Sequence, residues 1–514
     1  MSQVLESLAS LRLRSPHEIE TSLIDKPRHP LIGLFENLRN VFKADELGVE
    51  IATIALPAFL ALASDPLASL VDTAFIGHIG PVELAAVGVS ISVFNLVSKM
   101  FNLPLLNITT SFVAEDASEK EIVTDLPLES VPPDATGLFS TEVWNDSSEQ
   151  VEILKLDMPK RKPCLPSVSS ALVLGAFLGL GEALILAILA GPILTVMGID
   201  SLSPMRLASI QYLRVRAIGA PAMVLALAIQ GAFRGFKDTK TPLYATMAGN
   251  AVNIVLDPIL IFTLKLGVNG AAIATVISQY VILAMLFWVL ARKVTLLPPR
   301  MEDLRLGRFL KSGGYLLART MAILLVMTLA TSMAARQGAI QMAGHQICLQ
   351  IWLAASLLSD SIALAGQIGF LFGAFVAVLL GATMPTFSKL FTIDVDVLNI
   401  IKDLIVFVSL TQPINSLAFV FDGLHYGASD FAYAALSMIM VAIPSAAFLI
   451  IFPPLWGILA VWAGLTLIMS LRLGVGLWRI GTATGPWKFL KDRDIEKHLF
   501  RQLSVHEEGI TGTS

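Results

Sequence analysis

The stretch PAMVLALAIQGAFRGFKD (residues 221–238) has a counterpart in PINSLAFVFDGLHYGASD (residues 413–430). At this offset of 192 residues, Pro221, Leu225, Ala226, Gly231, Gly235 and Asp238 coincide with Pro413, Leu417, Ala418, Gly423, Gly427 and Asp430. Composition alone gives about one such identity over a window of this length, so the match marks an internal repeat. Each copy places a proline inside an apolar run, then two glycines, then an acid in a tight turn.

The rest of the chain says what surrounds the repeat. It has 514 residues, 55% of them apolar and only 15% charged, and a mean hydropathy of +0.73. A water-soluble chain carries about 25% charged residues, so this one needs lipid around it. The composition excludes a disordered chain, and two cysteines, Cys164 and Cys348, exclude a disulfide-stapled scaffold. A net charge of -4 is wrong for a nucleic-acid binder. The histidines and cysteines have no metal-ligand spacing, so neither a metal nor a cofactor is expected.

Crossing the hydrocarbon of a bilayer takes about 20 apolar residues of helix. Such stretches run over 47–74, 82–114, 168–197, 204–231, 242–264, 269–291, 313–334, 339–365, 367–388, 399–424, 430–452 and 456–479. With the N-terminus inside, 27 of the 36 lysines and arginines fall on the cytoplasmic side, counting seven beyond residue 471, and only Lys265, Arg336 and Lys389 lie opposite. Both termini then face the cytoplasm, and the two repeat copies run the same way across the membrane. The expected fold class is all-α integral membrane, with twelve transmembrane helices in two pseudo-symmetric six-helix lobes related by an axis along the membrane normal. The expected parts are a tail over 1–46 without a cleaved signal, an N-lobe over 47–291, a linker over 292–312, a C-lobe over 313–479 and a tail over 480–514. Within the N-lobe, 115–166 reads as a disordered cytoplasmic loop.

Three stretches, DPLASLVDTAFIGHIGPVELAAVGVSISVFN (65–95), QGAFRGFKDTKTPLYA (230–245) and NIVLDPILIF (253–262), resemble the multidrug and toxic compound extrusion (MATE) family. The likeness covers nearly everything from about residue 31 to 490 and is greatest to a plant citrate-exporter branch. It implies a MATE-type fold of two lobes that opens alternately to either side, driven in plants by protons. By resemblance, Asp72, Asn253, Asp257 and Thr275 match an N-lobe cation or proton site, and Asp422 matches a C-lobe carboxylate.

Acids and bases at membrane depth are costly and therefore functional candidates. Asp65 and Asp72 share a face of the first helix, and Asn253 lies one turn from Asp257. A carboxyl there can take up and release a proton; equally, Asp257 next to Pro258 can be a structural acid on a kinked helix. Asp422 stands where the other repeat has Gln230. Arg319 lies in the seventh span, where many drug-exporting members carry a carboxylate, and an arginine fork suits a carboxylate ligand; the alternative is an arginine snorkelling to the interface. Arg214 and Arg216 flank Val215 and point to different faces, so at most one sees a cavity, and Lys99 is a further cation. Gln230, Gln346 and Gln350, with His345, could add hydrogen bonds to substrate. Pro57, Pro221 and Pro413 lie within spans, where freed carbonyls need a neighbouring helix or a wet cavity. Arg234 with Asp238 is expected as a charge-paired gate at the end of the fourth helix.

The family pattern breaks after Gln367, where IGFLFGAF follows without the usual basic linker. Spans eight and nine must form a tight hairpin or fuse. The function expected is proton-coupled export of organic acid anions, citrate first, from a monomer in the lipid bilayer of the plasma membrane, with a plastid membrane as the alternative address. The competing functions are export of cationic or neutral compounds and flipping of a lipid-linked precursor. No nucleophile, metal or paired-acid arrangement suggests an enzyme.

Overall fold

The computed structural model describes residues 64, 66–125, 166–236, 238–295, 306–362, 366–428 and 430–488. Pro57, Asp65, the tail over 1–46 and residues 489–514 lie outside them.

The described chain is helical throughout. In order come α1 (Pro66–Gly77), α2 (Pro81–Asp125), α3 (Pro166–Val196), α4 (Arg206–Gly235), α5 (Lys240–Pro258, continued by a π turn over Ile259–Thr263) and α6 (Val268–Lys293). The second half holds α7 (Leu306–Ala335), α8 (Ala339–Ile362), α9 (Gly366–Phe387), α10, α11 (Phe431–Ile451) and α12 (Ile458–Gly481). Helix α10 is broken at Thr411 into Val395–Leu410 and Gln412–Gly427, with a bend of 44°. Nine helices are long and apolar enough to cross a membrane among the described residues, ten with the bent α10 counted as one. Helix α1, as described over Pro66–Gly77, is shorter than a span. Helix α8 misses the criterion because Gln341, His345, Gln346 and Gln350 dilute it, yet the last three are buried against neighbouring helices.

Two expectations change and one alternative is decided. The α2 helix runs to Asp125, eleven residues into the stretch read as loop, because AEDASEKE is rich in helix formers even though it is polar; 126–165 lie outside the described residues. The linker shrinks because α7 begins at Leu306. Spans eight and nine are two helices, Ala339–Ile362 and Gly366–Phe387, that touch each other, so they are not fused.

The repeat is visible in the backbone. Gly267 and Gly457 precede α6 and α12 with φ 55°, ψ -132° and φ 64°, ψ -147°, a conformation open essentially to glycine alone. Pro221 on α4 sits against Gly179 of α3, and Pro413 on α10 against Gly373 of α9. A Cβ at either glycine would come within 2.6 or 2.8 Å of the proline Cα. Each proline that breaks its own ladder is thus seated on a bare backbone.

The halves meet through α2, which packs on α3 and α4 and also on α7 and α8. One hydrophobic cluster spans both halves, with Ile76, Leu84 and Phe94 on one side and Met342, Trp352 and Trp462 on the other. At the charge-poor end the seam is tied by Ser332 Oγ donating to the Met197 carbonyl and Arg336 Nη2 to the Val196 carbonyl, both at 2.9 Å. At the opposite, basic end the apolar clusters are separate: Val113, Phe233 and Leu290 in one half, Phe421, Ile480 and Trp487 in the other. Outward faces carry large apolar side chains such as Phe177, Ile188 and Trp288, as contact with lipid requires.

Candidate functional site

Two charged centres lie inside the helices, one in each half. In the first, Asn253 on α5 is the hub. Its Nδ2 donates to Asp72 Oδ1 on α1 and to Asp257 Oδ2 one turn further along α5, each at 2.9 Å. Its Oδ1 accepts from Ser278 Oγ of α6 at 3.2 Å. Asp257 is fully buried, and its Oδ1 has no hydrogen-bond partner among the described residues. It stands two residues before the π turn, where Leu264 N–H donates to the Ile259 carbonyl at 2.9 Å; such turns collect at functional positions. Thr275 does not reach the acids: its hydroxyl donates to the Ala271 carbonyl at 2.9 Å, satisfied within its own helix. Ser278, one turn on, takes the place expected for it.

Two carboxyls on a single amide nitrogen leave more negative charge than donors. A proton on either one supplies the missing donor, so the arrangement can hold and release a proton without rearranging its backbone. Arg216 is in electrostatic reach of Asp72; its guanidinium lies over the Phe94 ring, 4.4 Å from the centroid. As the flanking of Val215 requires, Arg216 is buried and Arg214 exposed. Two residues that the sequence patterns do not single out also belong to these interiors. One is Glu182 on α3, 1% exposed, which accepts from the Ser98 hydroxyl of α2. Its signal was available, as the only ionisable residue in a 31-residue apolar helix.

The other is Arg472. It was counted with the basic cytoplasmic end, but α12 carries it inside, 5% exposed. In this second centre Asp422 Oδ2 accepts from both Arg319 of α7 and Arg472 of α12. Arg319 therefore does not snorkel away; it is half of a three-helix clip. The Arg472 guanidinium rests on the Phe419 ring at 4.6 Å and touches Met469 Sδ at 3.7 Å. Beside the clip is a small cavity lined by Asp422, Arg472, His425, Ser437 and Val441, among others. Its free volume of about 10 Å³ admits roughly one water.

The remaining candidates are scattered. Gln346 is buried in the seam between the halves, packed on Gly88 of α2, where a Cβ would meet Gln346 Oε1 at 2.6 Å. Gln350 is buried one turn on, and Gln230 is half-buried on α4. His345 is buried edge-on to Trp462, with ring centroids 5.8 Å apart.

The expected Arg234–Asp238 pair is corrected. Arg234 is exposed because the helix ends at Gly235 and turns the two side chains apart. Asp238 Oδ2 instead accepts from Lys293 Nζ of α6 at 2.6 Å and from Thr241 Oγ1 at 2.7 Å, while Oδ1 accepts from Thr241 N–H at 3.0 Å. Partial burial pushes its carboxyl up, but the Lys293 and Thr241 hydrogen bonds outweigh that and hold it at about 2. The other half repeats the tie: Asp430 accepts from Arg479 Nε at 2.9 Å and Nη2 at 3.1 Å. Both repeat acids thus fasten the start of one helix to the basic end of another.

Among the described residues no cluster could hold a metal ion. Residues 165–259 match the family signature MatE. The chain is 48% identical over 508 residues to Protein DETOXIFICATION 42 of Arabidopsis thaliana, covering 91% of this chain and 98% of that protein. It is 50% identical over 469 residues to Protein DETOXIFICATION 44, chloroplastic, of the same plant, covering 87% of this chain and 84% of that protein. Among solved structures, an inward-facing multidrug resistance MATE family transporter of the MOP superfamily superposes with a TM-score of 0.66 at 20% identity, over 86% of this chain and 99% of that one. An outward-facing structure of such a transporter gives 0.57 at 20% identity, over 87% and 96%. The protein is a transporter and not an enzyme, and the chain belongs to the MATE family.

Proposed function

We propose that this MATE transporter exports organic acid anions, citrate first among them, in exchange for protons. The observation that carries the reading is the convergence of Arg319 and Arg472 on one carboxyl oxygen in the C-terminal half. The two guanidinium groups converge on a carboxylate of the chain itself, and a carboxylate is what such a pair recognises. A cationic substrate would need an acid free to face it, and in this half Asp422 is held by two guanidinium groups.

Twelve spans accommodate this function. Ten helices qualify by length and composition, α1 continues a stretch that is apolar from residue 47, and α8 crosses with its polar face turned inward. With the basic end cytoplasmic, the ties of Ser332 and Arg336 to the 196–197 carbonyls close the outer side. The state is then inward-facing, and the Arg319–Asp422–Arg472 clip lies five residues from the cytoplasmic end of α10, about 8 Å at 1.5 Å per residue. The Asp72–Asn253–Asp257 centre lies in the outer half of its helices. A proton arriving from outside stabilises one packing of the lobes, and its loss resets the other. The plasma membrane fits an exporter; a plastid envelope is the address to test against it.

The test is efflux of labelled citrate from proteoliposomes with the pH gradient varied. Wild type is expected to respond to the gradient, and Arg319→Gln to lose citrate transport. Undiminished citrate efflux by Arg319→Gln sinks the anion reading.

A further inference from the structure

We propose that Glu182 is a second proton-exchanging acid of the N-terminal half, tied to the Asp72–Asn253–Asp257 centre through the Arg216 guanidinium, so that a proton is carried at each. The inference rests on the proton-exchange reading above and deepens it: coupling runs through two stations at different depths.

Burial creates the need for a proton. Glu182 is the only ionisable residue of α3 and is 1% exposed. Its Oε1 accepts from the Ser98 hydroxyl of α2, and its Oε2 has no hydrogen-bond partner among the described residues. Helices α2 and α4 pack on α3. From α4 come Arg216 and, one turn before it, Tyr212, both buried, whereas Arg214 is exposed; from α2 comes Lys99, beside Ser98 but exposed. Arg216 is in electrostatic reach of Glu182 as well as of Asp72. Asp72, Asp257 and Glu182 therefore share the interior of this half with one buried guanidinium among the described residues. Ionising all three acids leaves more negative charge than that cation balances, at a depth where uncompensated charge is expensive. A proton on an acid removes the difference.

Placement gives the order. Asp257 lies six residues from Thr263, Arg216 ten from Arg206 and Glu182 fourteen from Val196, each counted from the charge-poor end of its helix. At 1.5 Å per residue these are depths of about 9, 15 and 21 Å. Arg216 is thus intermediate between the acids in depth, and Glu182 stands near the middle of α3. Its surroundings suit water. Arg216 Nε and both polar atoms of the buried Asn102, one turn along α2 from Ser98, also have no partner among the described residues. Pro221, seated on Gly179 one turn from Glu182, deprives the Ala217 carbonyl of its usual helical donor. Buried polar atoms of this kind are met by ordered water. A proton delivered by such water adds to Glu182 Oε2 and is later returned to water, with no other bond made or broken.

The test uses the full-length protein in proteoliposomes with the membrane potential clamped. The proton-to-citrate ratio is read from the pH gradient that just balances a fixed gradient of labelled citrate. Glu182→Gln is expected to lower that ratio by one relative to wild type, and the purified variant to release one proton fewer on a step from acid to alkaline pH. A residue that only shapes the fold changes the rate of efflux and leaves the ratio alone. An unchanged ratio overturns the proposal, as does an unchanged proton count. Should Glu182→Gln fail to fold, Glu182→Asp keeps the acid but draws it one methylene back from Ser98. That variant is expected to keep the wild-type ratio while shifting the pH of half-maximal efflux, and an unshifted profile overturns the proposal equally. If the balance point of wild type ignores pH, the proton-exchange reading has failed and this inference with it; an unchanged ratio in Glu182→Gln beside a pH-responsive wild type fails the inference alone.

Discussion

In the N-terminal half two carboxyls converge on one amide nitrogen, at Asp72, Asp257 and Asn253. In the C-terminal half two guanidinium groups converge on one carboxyl oxygen, at Arg319, Arg472 and Asp422. The halves descend from one pattern and keep its backbone features. Gly267 and Gly457 adopt the same unusual dihedrals, Gly179 and Gly373 seat corresponding prolines, and Asp238 and Asp430 make corresponding ties. The interior charge is inverted all the same, and so is depth, the acids lying toward the charge-poor end and the arginines toward the basic end. Duplication therefore fixed the scaffold while the polar groups inside each lobe diverged. On the proposed reading, a lobe with converging acids holds the proton and a lobe with converging arginines holds the anion, the pairing that exchange of the two species calls for.

The largest effect that can break this comparison comes from the acids. Asp257→Asn should cut the response of citrate efflux to a pH gradient by on the order of tenfold or more, within the range of coupling energies between sites, while leaving citrate binding nearly unchanged. Arg319→Gln should lose citrate binding and with it citrate efflux. If Asp257→Asn loses citrate binding as well, the division of labour between lobes is wrong. Next come the proline seats. Gly373→Ala and Gly179→Ala each push a methyl group into a proline Cα, which costs about 1–3 kcal/mol as overpacking and should show as a lowered melting temperature of the detergent-solubilised protein. Because α10 is already broken and α4 is continuous, Gly373→Ala should impair transport more than Gly179→Ala relative to the stability each loses. Equal impairment would remove any special role for the C-lobe break.

A smaller effect is expected at the seam. Arg336→Ala removes the donor to the Val196 carbonyl and should increase accessibility at the charge-poor end, read as faster labelling of a cysteine placed at the buried Ala335, by about fivefold for a bond worth about 1 kcal/mol. No change would mean that the hydrophobic cluster alone holds that end shut. The smallest concerns the repeated acid. The Asp238 carboxyl is held at about 2, below its ordinary range. A depressed carboxyl stabilises the fold above its ordinary value and loses that contribution as pH falls from about 4 toward 2. Lys293 is 45% exposed, so solvent screening limits the contribution to under about 1 kcal/mol. Asp238→Asn should flatten the acid limb of a melting-temperature profile by that small amount, and a larger flattening would point to a buried acid instead.

The legibility of the molecule follows the range of the forces involved. The helical membrane class and the repeat can be read from local composition, since a segment of apolar residues long enough for a bilayer has few other fates; of the twelve expected spans, nine or ten are long and apolar enough among the described residues. Errors of extent occur where a polar segment is also a good helix former, as at 115–125. The Asp72–Asn253–Asp257 cluster was legible because its members share faces of apolar helices and match a family motif. Ser278 was not, since Thr275 fits the same motif and only the packing of α6 on α5 turns one hydroxyl toward Asn253 and the other onto its own backbone.

By itself the sequence determined that this chain lives in lipid, that it is built twice, and that ionisable groups sit where burial is expensive. Those properties depend on residues close in the chain or on a repeat that can be counted. Only the tertiary structure decided which charges meet. Arg472 looked like one more cytoplasmic cation, and Arg319 and Asp422 are 103 residues apart; nothing in their spacing pairs them. Three helices packed side by side bring them to one point, and in a medium with little water a buried charge is stable only beside its opposite.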